Sequence, residues 1–140
     1  MRILLAADGS KLTKKALAFL VTHEAFTNDG SELVVINVQA PVPPRVNRML
    51  GSAEVAAYYE EEAGKVLDPI RKFLDKHGLR YSCTWVIGLA SDEIGQAIKR
   101  EKAHMLVMGT RGHGLIGRAL MGSVAQRVIA DCDVPVLLVQ

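Results

Sequence analysis

At 140 residues, 49% of them hydrophobic, the chain is long enough to bury the core of one globular domain, residues 1–140, and no second domain is expected. Seventeen basic against fifteen acidic residues leave a formal charge of +2. So small and evenly spread an excess argues against nucleic acid as a partner, and any anion site must be built locally.

Residues 1–8, MRILLAAD, meet an acid after five apolar positions. They read as the first strand (residues 3–7) and as neither a signal peptide nor a membrane span, so the expected location is the cytoplasm. Asp8-Gly9-Ser10 ends this strand and opens a helix marked by Leu17, Leu20 and Val21. Residues 33–38 form the second strand. Residues 40–52, with Pro41, Pro43, Pro44, Arg45 and Arg48, read as a long irregular surface loop. The next helix carries the longest apolar stripe, from Ala63 through Val66, Leu67 and Ile70 to Leu74. Pro69 lies inside that stripe. Asp68-Pro69 could start a new helix, but the stripe crosses it in phase, which favours a single kinked helix.

Residues 81–87 form the third strand, Ile94, Ala97 and Ile98 mark the third helix, and residues 105–108 form the fourth strand. A glycine-spaced loop follows, then a fourth helix over residues 122–131 with Ala125, Val128 and Ile129 at helical spacing, then a fifth strand over residues 134–139. Two cysteines, Cys83 and Cys132, are too few for a disulfide scaffold and read as free structural thiols. Five strands alternate with four helices. Several strands are near-continuous Val, Ile and Leu, as expected for a doubly wound open parallel sheet with helices on both faces.

The chemistry gathers at strand ends. Met108-Gly109-Thr110-Arg111-Gly112 joins the fourth strand to the loop, and Gly122-Ser123-Val124 opens the last helix. Glycines allow backbone N–H groups to approach an anion, Ser123 could cap the helix, and the free N–H groups of the helix start would face the same anion. A nucleotide phosphate is the obvious ligand. Ligands of open α/β sheets bind outside the carboxyl ends of the strands where the winding reverses, so neighbouring first and fourth strands would bring Asp8 to this loop. Asp8 could accept ribose hydroxyls, hold a divalent cation that bridges phosphates, or simply make the turn with Ser10 as N-cap.

Sharper motifs fail on context. Gly112-His113-Gly114-Leu115-Ile116-Gly117 matches a dinucleotide fingerprint in letters, but Asp131 precedes a strand where the fingerprint needs an acid at a strand end. There is no Gly-Lys-Ser/Thr for a P-loop, and the histidines His23, His77 and His104 lack metal-ligand spacing.

The whole chain resembles the universal stress protein family. The resemblance rests on Ala7-Asp8-Gly9-Ser10, on the spacing Gly109-x2-Gly112-x9-Gly122-Ser123, and on the tail from Gly122 to Val139. It implies strand order 3-2-1-4-5, binding of ATP or a related adenine nucleotide (AMP or ADP) with Mg²⁺, and a stress-response role. Carried over by position, Asp8 would lie near ribose and metal, and Val38 would contact adenine. Met108 and Gly109 would flank the sugar and α-phosphate, while Gly112, Gly122, Ser123 and Val124 would meet phosphates. Arg111, His113 and Arg118 are added from charge and location.

Hydrolysis needs a group that orients water, and neither Asp8 nor His113 belongs to a recognisable constellation. A nucleotide-binding regulator is therefore preferred to an ATPase, to a protein autophosphorylated on Ser123 or Thr110, and to a nucleotide-free partner-binding domain. The final strand, a sheet edge in the implied order, is expected to pair two copies into a homodimer.

Overall fold

The structure is a computed structural model and describes residues 1–112 and 121–140. His113, Gly114, Gly117 and Arg118, singled out above, lie outside the described residues. The elements in chain order are β1 (Arg2–Ala6), α1 (Lys11–Thr22), α2 (Glu24–Thr27), β2 (Glu32–Gln39), α3 (Pro44–Leu50), α4 (Ser52–His77), β3 (Tyr81–Ile87), α5 (Ala90–Arg100), β4 (Met105–Gly109), α6 (Ser123–Asp131) and β5 (Val136–Val139).

The five strands form one parallel sheet in the order β3-β2-β1-β4-β5. Strand alternation sorts its side chains into two cores. Ile3, Leu5, Leu33, Val35 and Val107 face α1 and α4, where they meet Leu17, Leu20, Leu67 and Leu74. Leu4, Val34, Ile36, Leu106 and Met108 face α5 and α6, where they meet Ile94, Ala97, Ile98 and Val128. Central strands buried on both sides explain the unbroken apolar runs. The helices before β3 cover one face and those after it cover the other, so the winding reverses between β1 and β4.

The structure bears on three expectations. The segment over residues 40–52 is largely helical: α3 spans Pro44–Leu50 and α4 begins at Ser52. Pro43 and Pro44 stand at the N-cap and first position of α3, where a missing N–H costs nothing. Its entry is tied down, since the Val42 N–H donates to Tyr59 Oη at 2.8 Å. Secondly, α4 carries Pro69 inside one helix, as the in-phase stripe predicts, and no new helix starts at Asp68-Pro69. Pro69 and Lys65 are both exposed, so the carbonyl that loses its helical donor faces water. Thirdly, β5 starts at Val136, two residues later than the apolar run, and Ile129 is 37% exposed and outside the core.

Candidate nucleotide site at the carboxyl ends of β1 and β4

The chain leaves β1 through a tight turn. Gly9 has φ +78°, a conformation that costs glycine little and would strain a side-chain-bearing residue. Its neighbour Asp8 braces the turn: Asp8 Oδ1 accepts from the Ser10 N–H at 2.9 Å and from Thr13 Oγ1 at 3.0 Å. Thr13 Oγ1 also accepts from the Asp8 N–H at 3.2 Å. Ser10 occupies the N-cap position of α1, but its hydroxyl makes no capping bond. The Asp8 carboxylate instead braces the turn into α1 through the Ser10 N–H and the Thr13 hydroxyl, without bonding an amide of the helix's first turn.

Across the reversal point, Gly109 ends β4 beside the first turn of α1. A Cβ there would stand 2.9 Å from Leu12 Cβ and 3.1 Å from the Arg111 carbonyl. Packing of α1 onto β4 thus requires glycine at this position, independently of any ligand. Gly112 approaches Asp8 instead: its Cβ would lie 2.9 Å from Asp8 Oδ2. Of the carboxylate's two oxygens, one is bonded into α1 and the other faces the glycine turn.

The entrance to α6 is closed by its own bonds. The Gly122 N–H donates to the Thr110 carbonyl at 2.6 Å, and Gln126 Nε2 donates to the Met121 carbonyl at 2.7 Å. Gly122 is the N-cap, with φ −68° and ψ 161°, and Ser123 is the first helical residue. Ser123 is therefore not the cap, and Gly122 has an extended backbone that any residue adopts. The first intrahelical bond runs from the Gln126 N–H to the Gly122 carbonyl. Ser123, Val124 and Ala125 precede it, so the helix offers their N–H groups no partner of its own, and its dipole favours negative charge there.

These segments enclose a cavity of about 600 Å³. Ala6, Ile36, Val38 and Met108 form an apolar floor, and Ala90, Ile94 and Met121 form walls. Asp8, Gly109, Arg111 and Gly112 line one part of the rim, and Gly122, Ser123 and Val124 another. Every described residue proposed for the site from sequence lines this one cavity; no residue of 40–52 is among its described lining. Sequence reading missed Ile36, Ala90 and Ile94. Ile36 sits two positions before Val38 on the same face, and Ala90 and Ile94 sit four apart on α5, so periodicity could have found them.

It also missed Asn37. This amide is 3% exposed, donates from Nδ2 to the Ala7 carbonyl at 2.8 Å and accepts from Gln39 Nε2. Its signal was a lone amide inside the apolar strand LVVINV.

No group of three or more possible metal ligands exists among the described residues. A Mg²⁺ ion that accompanies phosphates needs fewer, because it keeps several waters and takes one or two carboxylates along with phosphate oxygens. Asp8 Oδ2, beside the glycine turn, fits that donor set.

An open parallel sheet wound in both directions, with a ligand-sized cavity at the reversal point, defines a doubly wound α/β protein of the nucleotide-binding type of architecture. The universal stress protein family model matches residues 1–140, and the chain belongs to that family. A Thermus aquaticus universal stress protein, from the QAH/OAS sulfhydrylase 3′ region, is 34% identical over 143 residues, covering 99% of this chain and 97% of the relative. The solved structure of MJ0577, from Methanocaldococcus jannaschii, superposes with a TM-score of 0.84 at 26% identity, covering 99% of this chain and 94% of that one. A universal stress protein from Archaeoglobus fulgidus, solved in complex with dAMP, shares the fold with a TM-score of 0.72 at 20% identity, covering 100% and 98%. Among the described residues no helix is long and apolar enough to cross a membrane.

Proposed function

We propose that this protein is an adenine-nucleotide-binding regulator of the stress response, which takes ATP with Mg²⁺ between the ends of β1 and β4. One observation carries the reading. Asp8, the Gly109–Gly112 turn and the start of α6 converge on one cavity whose floor is apolar and whose rim is polar. Adenine suits the floor at Ile36 and Val38. The phosphates suit the rim, where helix N–H groups and Arg111 supply positive potential. The Archaeoglobus relative with dAMP supports an adenine ligand.

Asp8 is the one acid among the described lining residues, and its Oδ1 is bonded into α1. That favours binding over hydrolysis, since a hydrolase needs a group placed to orient water. Two copies pair through β5, the edge strand, which presents unpaired backbone groups. The nucleotide state would then be read on the surface of a dimer in the cytoplasm.

The test is direct. Denaturing the purified protein should release an adenine nucleotide identifiable by mass spectrometry, and calorimetry on stripped protein should show binding of MgATP at one site per chain. Stripped, folded protein that binds no adenine nucleotide would end this reading.

A further inference from the structure

The sheet has two open edges, and β3 is the longer of the two, with seven residues against four in β5. An edge strand presents unpaired N–H and C=O groups, and proteins usually blunt it with a charge, a proline or a bulge. β3 has none of these. Its residues, Tyr-Ser-Cys-Thr-Trp-Val-Ile, carry no charge and no proline, and its pairing with β2 runs unbroken from Leu33↔Tyr81 to Gln39↔Ile87.

Two hydrogen bonds at the ends of the strand fix where its free groups point. The Leu33 N–H donates to the Arg80 carbonyl at 3.0 Å, and the Gly88 N–H donates to the Gln39 carbonyl at 2.9 Å. Even-numbered positions therefore turn their backbone groups to β2, and Tyr81, Cys83, Trp85 and Ile87 turn theirs to the free edge. Two such strands set antiparallel about a two-fold axis at Thr84 bring Tyr81 opposite Ile87 and Cys83 opposite Trp85, twice over. Each pair exchanges both of its hydrogen bonds, about eight in all, and no outward group of the strand is left over. Moving the axis to Cys83 or Trp85 leaves an end residue facing a position outside the strand.

Charge selects the same register. With the axis at Thr84, position 80 of one copy stands opposite position 88 of the other, on the face that carries Val86 and α5. Gly88 has no side chain, and Glu93 of α5 fills its place: a Cβ on Gly88 would lie 2.6 Å from Glu93 Oε1. Arg80 is exposed, and neither it nor Glu93 makes an ion pair among the described residues. The two-fold axis brings Arg80 of each copy to Glu93 of the other. It also covers Ile87, which is 44% exposed in the single chain.

We propose that β3 is a self-docking edge, to which a second copy of this chain adds antiparallel about Thr84, held in register by reciprocal Arg80–Glu93 ion pairs. This surface lies apart from the nucleotide site and from the β5 edge. A contact confined to two strand edges is smaller than the roughly 1,200 Å² of a standard interface, so it forms at high micromolar concentration and joins particles that β5 has already paired.

The experiment is sedimentation of the full chain from about 5 to about 500 µM. Wild type should gain mass beyond its low-concentration particle as the concentration rises. Arg80→Glu and Glu93→Arg each set like charges face to face twice, so either variant alone should lose this gain. Mixed in equal amounts the two should regain it, because each supplies the charge that the other lacks. Thr84→Lys places like charges about 5 Å apart on the axis and should abolish the gain while the half-buried site keeps its fold. At the high concentration the amides of Tyr81, Cys83, Trp85 and Ile87 should exchange more slowly in wild type than at the low one.

Wild type of constant mass across the range, a mixture no heavier than its separate variants, or a gain that survives Thr84→Lys would each overturn the proposal. So would protection of these four amides that depends on a copurifying foreign polypeptide, which would give the edge to another protein.

Discussion

Gly112→Ala is the most exacting single perturbation of the proposed cradle, because its cost can be worked from the geometry. Gly112 is not among the glycines with positive φ, so alanine can adopt its backbone. The new Cβ would lie 2.9 Å from Asp8 Oδ2, about 0.5 Å inside ordinary non-bonded contact. Asp8 cannot swing away freely. Its Oδ1 is held by the Ser10 N–H at 2.9 Å and by Thr13 Oγ1 at 3.0 Å. Weakening two such bonds costs about 1–2 kcal/mol in total, and restriction of the unfolded chain by alanine returns about 0.4–1 kcal/mol. The net loss is about 1 kcal/mol, or roughly 2–5 °C in Tm for a domain of this size.

Binding should suffer more than folding, since the methyl group both displaces Oδ2 and stands where a phosphate oxygen would approach the backbone. MgATP affinity should fall by at least about tenfold. Gly95→Ala is the matched control. Nothing lies within 4 Å of a Cβ there, so helix propensity should make it more stable by up to about 1 kcal/mol, with nucleotide affinity unchanged. A folded Gly112→Ala that binds MgATP as tightly as wild type in calorimetry would refute the cradle.

Three further outcomes are expected. Gly122→Val should fold, because φ −68°, ψ 161° and the N–H bond to Thr110 all suit valine; its side chain at the cavity rim should abolish MgATP binding, and unchanged affinity would take this glycine out of the site. Wild type should sediment as a dimer at micromolar concentration. The β4 register directs the Leu138 N–H away from its neighbouring strand, so Leu138→Pro should yield monomer, and a monomeric wild type would place no interface at β5. Tyr81, whose phenol donates to Asp75 Oδ1 at 2.7 Å, has its pKa raised by that bond to about 12. Because the folded value exceeds the unfolded 10.0, this contribution is complete below about pH 10 and is lost as pH rises through 12. The stability gap between wild type and Tyr81→Phe in urea should therefore narrow from pH 10 upward; a gap independent of pH would show that the bond contributes nothing.

What the sequence revealed and concealed at this site follows from how each residue acts. The strands of the central sheet were legible because burial on both faces leaves nothing but Val, Ile, Leu and Met in positions such as 33–36 and 105–108. The helix α3 was not, because its seven residues bury none of their side chains and so leave no periodic trace. Met108, Gly109 and Gly112 were legible as a turn after a strand, but the reason for Gly109 was not: the side chain that excludes a Cβ is Leu12, 97 positions earlier in the chain.

Asp8 shows the same division more sharply. Its placement at a strand end, before a glycine with positive φ, announces a special position. Its carboxylate is held by Thr13 and the residue before it by Asn37, and neither residue type advertises a partner. A threonine in the first turns of a helix reads as ordinary, and an asparagine in a strand reads as a defect until the neighbouring carbonyl is seen. Sequence pattern therefore locates the groups that would meet a ligand, while the groups that aim them become visible only when burial makes an unsatisfied polar atom too costly to leave alone. For the proposed function this matters physically: an aspartate free to rotate could serve ribose and metal equally, and the bonds to Oδ1 hold its carboxylate in one orientation.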